Sequence, residues 1–278
     1  MSSLAAYTVI PAEAGIQRFQ KTGHRLLCDD MTDWCPILAA TQPVRLGDTL
    51  LRLVESQEQV ATNQLVSSID RQALLEDMLE ATKPSLRKGA ESLHYLLATP
   101  FRYPPLKHGS RFGTRNEPSL FYGSLETRTV LAEAAYYRFV FWAGMATPPA
   151  GKLDTQHTLF GAAYRTEHGL RLQAPPFAAQ QHAHASPSDY RASQALGSRM
   201  RAAGIEAFEF VSARDQEGGI NIALFTPKAF AKKEPISQEA WLCELTGERV
   251  RFLPARGREI HDFPLALFQV AGTLPWPA

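Results

Sequence analysis

Regular alternation of polar and apolar positions begins only near Pro43; the first thirty residues carry little periodicity. PVRLGDTLLRLVESQE (43–58) alternates as an edge strand or loop does. SIDRQALLEDMLEATKP then sets Leu74, Leu75, Met78 and Leu79 on one helical stripe that stops before Pro84. A second short helix is expected over 89–97, which gives a small helical lobe over about residues 40–98. Residues 100–118, rich in Pro, Gly and basic side chains and without a period, have a loop composition, and the strand SLFYG follows. Ser124 is a candidate N-cap with Glu126 in the first turn, for a helix that runs to about Trp142. Val130, Ala134, Tyr137 and Phe141 recur on one face of it, and Glu133 sits at the edge, roughly 70° from the centre of that face.

GKLDTQHTLFGAAYRTEHGLRLQAPPF (151–177) reads as two strands around a turn, and AAQQHAHASPS as a loop with solvated histidines. A helix is expected from near Asp189 through Ala192, Leu196 and Met200 to Gly204, a residue suited to the position just past a helix end. IEAFEFVSAR and INIALFTP flank DQEGG as a hairpin; a turn centred on Gln216 and Glu217 sets Ser212 opposite Asn221 among Phe208, Phe210 and Leu224. AWLCEL and RVRFLP around TGE form a last hairpin with Trp241 and Phe252 in the core. The composite is α+β, a mixed or antiparallel sheet with a few helices. The expected division is an N-terminal extension and helical lobe over 1–98 and a main domain over 99–278.

Composition narrows the function. Twenty-nine basic residues stand against twenty-eight acidic ones, so no duplex-binding footprint and no direct nucleic-acid contact are expected. Cys28, Cys35 and Cys243 form no C-x-x-C pair, an odd count that suits a reducing compartment. No basic segment followed by an apolar core opens the chain, and nowhere do eighteen apolar residues run together. A soluble cytoplasmic protein without membrane contact is expected.

Three residues stand out in GSRFGTRNEPSLFYGSLETRTVLAEAAYYR: Arg111, Tyr122 and Glu133, eleven apart, on a loop, a strand and a helix. A helix-edge glutamate is ordinarily solvated or ion-paired, yet three and four residues away stand Thr129, Val130, Tyr136 and Tyr137, none of them a cation. Other constellations carry less. His24, Cys28 and Cys35 fit no zinc-knuckle spacing, so no metal is expected, and no G-x-G-x-x-G occurs. The basic loop Arg102, Lys107, His108, Arg111 and Arg115, with Tyr103 and Phe112 interleaved, offers a rival reading as an RNA-cleaving toxin with His108 as base. A non-enzymatic binding module with the Pro-rich loop as its surface is a second rival.

The runs SRFG…LFYGSLETRTVLAE and SQALGSRMRAAGIEAFEFVSARDQEGGINIALF, with LLATPFRYPPLKHGSRFG before them, resemble the RES domain, found as toxins of bacterial toxin–antitoxin pairs. The resemblance covers about residues 90–226. It implies an ADP-ribosyltransferase-like fold, NAD as substrate, and a cognate Xre-type antitoxin whose C-terminal end enters the toxin's cleft at Arg111 and Glu133. It also implies site residues: Arg111, Tyr122 and Glu133 as catalytic, with Ser212 and, more weakly, Asn221 binding NAD. Some relatives hydrolyse or phosphorolyse NAD, and others transfer its ADP-ribose to a protein, notably the enzyme that makes phosphoribosyl pyrophosphate.

The chemistry suits these residue types. Breaking the nicotinamide–ribose bond builds positive charge on the anomeric carbon, which a fixed carboxylate such as Glu133 would favour. A guanidinium fork matches phosphate oxygens, a role for Arg111 with Arg102 and Arg115 as helpers. Tyr122 offers a face to the nicotinamide ring, and Ser212 can hydrogen-bond the carboxamide or a ribose hydroxyl. The expectation is a growth-arresting toxin that transfers ADP-ribose to a protein, with NAD hydrolysis or phosphorolysis as the alternative.

Overall fold

A computed structural model describes residues 32–56 and 68–277. His24, Cys28 and the aperiodic N-terminal segment lie outside them. In chain order the elements are α1 (Trp34–Ala39), β1 (Val44–Glu55), α2 (Ile69–Thr82), α3 (Tyr95–Arg102), β2 (Phe121–Ser124), α4 (Thr127–Ala143), β3 (Leu153–Arg171), α5 (Gln181–His184), α6 (Arg191–Ala202), β4 (Ala207–Val211), β5 (Ile220–Leu224), β6 (Ser237–Leu245), β7 (Arg249–Pro254) and β8 (His261–Pro264). The α+β class holds: eight strands form one sheet in the order β1-β2-β5-β4-β3-β6-β7-β8, and only β3 and β4 run parallel. β1 also pairs with β3, so β1, β2, β5, β4 and β3 close a ring. No helix among the described residues is long and apolar enough to cross a membrane.

Two expectations about strands change. Residues 153–171 form one continuous strand, not two around a turn. β3 is flanked by β6 along its first half and by β1 from His157 to Gly169, so its backbone is committed to neighbours along nearly its whole length. Its glycines mark close approach, since a Cβ at Gly161 would lie 2.6 Å from Ser237 Oγ and one at Gly169 would lie 2.4 Å from Leu46. β1, read as an edge strand or loop of the N-terminal lobe, is instead built into the main sheet between β2 and β3.

The helices shift as well. α2 forms where the period places it, with Ser68 Oγ accepting from Arg71 N at its start, but Leu74, Met78 and Leu79 are exposed and the stripe covers no core. α3 begins at Tyr95, six residues later than expected, because Gly89 takes φ +90° in a turn and the His94 side chain caps the helix through Leu96 N. α6 and its Gly204 end, at φ +76°, follow the sequence reading. The β6–β7 hairpin does too, with Trp241 and Phe252 buried.

α4 departs most. It buries Val130, Leu131, Ala135, Tyr136 and Phe139 against Trp241, Phe252, Phe263 and Phe268, while Tyr137 and Phe141 are 49 % and 48 % exposed. Apolar residues surround this helix on nearly all sides, so periodicity alone cannot choose its inner face. Ser124 does not cap it. The N-cap is Glu126, without a side-chain bond, and Ser124 closes β2 with its hydroxyl turned inward.

Candidate active site

The β4–β5 hairpin decides where Ser212 and Asn221 fall. Phe210 pairs with Asn221 and Val211 with Ile220, so Ser212 lies beside Gly219, whose carbonyl accepts its N–H, and not opposite Asn221. Ser212 Oγ accepts from Arg214 N (3.1 Å) and Asp215 N (3.0 Å), and this local turn holds Ala213 and Arg214 out of the ladder. Asp215 Oδ2 accepts from Thr129 Oγ1 at 2.9 Å, which ties the turn to α4 one helical turn before Glu133. The two-residue change of register keeps Ser212 and Asn221 on one face, diagonal to each other.

Both reach the same oxygen. Ser212 Oγ donates to Glu133 Oε1 at 2.7 Å and Asn221 Nδ2 donates to it at 2.6 Å. Behind them Ser124, paired with Asn221 across β2 and β5, donates through Oγ to Asn221 Oδ1 at 2.6 Å and so fixes which way the amide faces. Glu133 Oε2 has no protein partner among the described residues, and this half-buried carboxylate is in no ion pair there.

Arg111 is buried on the loop before β2. Its NH1 donates to Ser186 O at 2.6 Å, and its guanidinium lies 4.6 Å from the centre of the Tyr190 ring. Arg214, which the sequence reading did not single out, grips the same ring from the other end: NH2 donates to Tyr190 Oη (3.3 Å) and Pro187 O (2.8 Å). Its guanidinium also sits 3.4 Å from the centre of the Tyr136 ring. Neither guanidinium pairs with a carboxylate among the described residues, so the site holds two uncompensated cations and one carboxylate with a free oxygen. Burial pushes the Tyr136 phenol up to about 12, against the pull of Arg214. A third element fixes the Arg111 loop from outside: Ser193 Oγ of α6 donates to Arg111 O at 2.6 Å.

Tyr122 is placed otherwise than as a ring-stacking face. Its hydroxyl hydrogen-bonds Ser110 Oγ (2.9 Å) and accepts from Phe112 N (3.1 Å), bracketing Arg111, while its ring meets Phe210 edge-on at 6.4 Å. Burial raises its phenol to about 12. It therefore positions the Arg111 loop from within the core. Arg102 is not brought to this site: on α3 it donates to Glu80 Oε1 (2.6 Å) and Pro84 O. Arg115, Lys107 and His108 lie on the surface while Phe112 is fully buried, so the basic loop offers no continuous aromatic and cationic surface to RNA. In the QHAH segment His184 is completely buried and not solvated; Nδ1 has no partner among the described residues, and burial lowers its pKa to about 4. No cluster of three or more His, Cys, Asp or Glu suited to a metal occurs among the described residues.

Tyr190 and Arg214 escaped the sequence reading, which took Ser124 only for a helix cap, because each of the three joins the site through packing or register. The only signal was indirect, two small polar groups expected side by side on one hairpin.

The arrangement can bind phosphates at the guanidiniums and meet a developing positive charge, or a ribose hydroxyl, at Glu133 Oε2. A family model for the RES domain matches residues 87–245, which include Arg111, Tyr122, Glu133, Tyr190, Ser212, Arg214 and Asn221. A search of curated proteins finds no match. With more than half of its length matched, the chain belongs to the RES domain family.

Proposed function

We propose that the protein is the toxin of a toxin–antitoxin pair and consumes NAD at the Glu133 site. The observation that supports this best is the fixed Glu133 carboxylate, with one oxygen held by Ser212 and Asn221 and the other without a partner among the described residues, together with the guanidiniums of Arg111 and Arg214, which pair with no carboxylate there. In the proposed reaction the bond between nicotinamide nitrogen and ribose C1′ breaks, and its electron pair leaves with neutral nicotinamide. The charge left on C1′ is stabilised by Glu133 until a nucleophile attacks and gives up its proton. The guanidiniums hold the pyrophosphate in ground and transition states alike.

The acceptor we favour is a protein side chain, for which phosphoribosyl pyrophosphate synthetase is one candidate; water and phosphate attack the same carbon. Incubating lysate with labelled NAD and analysing it by mass spectrometry separates a modified protein from free ADP-ribose or its phosphate. An Xre-type antitoxin would block the site in the cytoplasm, and a co-purified partner that left Glu133 open to NAD analogues would contradict that part.

The direct test is NAD turnover by purified protein, with an RNA digestion gel in parallel. Glu133→Gln keeps an oxygen for Ser212 and Asn221 while removing the charge. Turnover should therefore fall roughly 10²- to 10³-fold, about 3 to 4 kcal/mol, with NAD affinity and circular dichroism little changed. A folded variant that still kills on induction and turns over NAD at the wild-type rate would sink the reading.

A further inference from the structure

An aromatic residue that stacks on a flat ligand needs an open face within reach of the reacting atoms. Tyr122 is otherwise engaged: its hydroxyl is shared between Ser110 and Phe112, and its half-buried ring packs against the cluster of Phe112, Phe208 and Phe210. Tyr137 differs on both counts. It stands one helical turn beyond Glu133 on α4, the spacing at which side chains of one helix face lie roughly 5–6 Å apart. The residue is 49 % exposed.

Its ring is also oriented by neighbours. It meets Tyr136 edge to face, with centroids 5.1 Å apart and planes at 71°, and Tyr136 carries the Arg214 guanidinium over its own ring. Arg214 in turn holds Tyr190, on which Arg111 lies. Cationic and aromatic groups thus alternate from Arg111 through Tyr190 and Arg214 to Tyr136, against which Tyr137 packs. Burial first, then the neighbouring Tyr190 and Glu133, hold the Tyr137 phenol well above the ordinary range, and Arg52 is among its electrostatic neighbours. Held edge to face by Tyr136 and half exposed one helical turn from Glu133, the Tyr137 ring is placed to receive a flat ligand there.

We propose that Tyr137, and not Tyr122, is the residue against which the positively charged nicotinamide ring of NAD stacks, so that it sets the choice of leaving group. This rests on the NAD-cleaving reading of the Glu133 site. A cationic ring is drawn to an aromatic face, and the attraction is lost when the ring is truncated.

The experiment compares wild type, Tyr137→Ala and Tyr137→Phe in three measurements. These are KM for NAD, the inhibition constant of 1-methylnicotinamide, which keeps the positively charged ring, and the affinity for ADP-ribose, which has no nicotinamide. Tyr137→Ala should raise the first two roughly 2- to 30-fold while ADP-ribose affinity stays within about twofold, and Tyr137→Phe should restore both. Thermal melting checks the fold. If Tyr137→Ala leaves KM and 1-methylnicotinamide inhibition unchanged in an active enzyme, the inference falls and the reading of the site stands. If ADP-ribose affinity drops in step with NAD, the residue is only structural and the inference falls as well. A wild-type protein that neither cleaves NAD nor binds ADP-ribose overturns both together.

Discussion

At Glu133 the structure brings together residues that the sequence reading singled out, Ser212 and Asn221 among them, through contacts that reading did not foresee. The spacing of Arg111, Tyr122 and Glu133 on loop, strand and helix was legible, and so were Ser212 and Asn221, because residue type and order survive any change of register. What each does was not legible, since Tyr122 acts through Ser110 and Phe112 and Arg214 acts through Tyr190. Two outcomes follow for single side chains. Tyr122→Phe keeps the ring but frees the Arg111 loop, so KM for NAD should rise and ADP-ribose affinity should fall, whereas Tyr137→Ala should raise KM and leave ADP-ribose affinity unchanged. Ser212→Ala removes a donor to Glu133 and leaves the buried Arg214 and Asp215 N–H groups without their acceptor. That should cost about 1–3 kcal/mol in chemical denaturation as well as turnover. Equal stability in Ser212→Ala would mean that the turn does not depend on the hydroxyl.

Among the elements, the long strands and helices were easier to read than their partners. α6 and the β6–β7 hairpin match their patterns because each has one buried face and a clear end signal. β3 was split because a strand flanked on both sides, with glycines at crowded points, resembles two short strands around a turn. The inner face of α4 was misassigned because no polar face marks its outside. α6 supplies a test of close approach: a Cβ at Gly197 would lie 1.9 Å from Phe112 O, in the loop that carries Arg111. The clash is with backbone, so the helix has to move. Gly197→Ala should therefore destabilise the protein by about 1–3 kcal/mol or more and weaken ADP-ribose binding. An unshifted melting curve would show that α6 can slide away from the loop at no cost.

For the molecule as a whole, the ring of strands reaches outside the residues that match the family. β1 pairs with β3 from Val44 to Glu55, upstream of the match, and β7 and β8 lie downstream of it. A fragment of residues 87–245 would expose the flank of β3 that β1 covers, and it should aggregate or stay unfolded by circular dichroism. Acid sensitivity is also a property of the assembled fold. His157 and His184 are buried and their pKa values are lowered to about 4, in each case chiefly by burial. In the unfolded chain they take up protons near 6.5, so between about pH 6.5 and 4 the unfolded state binds more protons. Stability is then fully present above that window and falls as pH drops, by on the order of 3 kcal/mol per histidine. Urea melts across this range should show a flatter acid limb in His184→Asn than in wild type. An equally steep limb would assign the loss to other groups.

The pairing of Glu133 with Ser212 and Asn221 also has a consequence for synthesis. The carboxylate meets its two donors 79 and 88 residues further along the chain. At ribosomal rates that distance is roughly 4 to 18 s of elongation, during which Glu133 and Arg111 already exist but the oxygen that Ser212 and Asn221 share is held by neither. A nascent chain that stalls in this interval carries the charged residues without the geometry. Under the proposed reaction such a chain should not turn over NAD, and turnover should arise only in chains long enough to include Asn221.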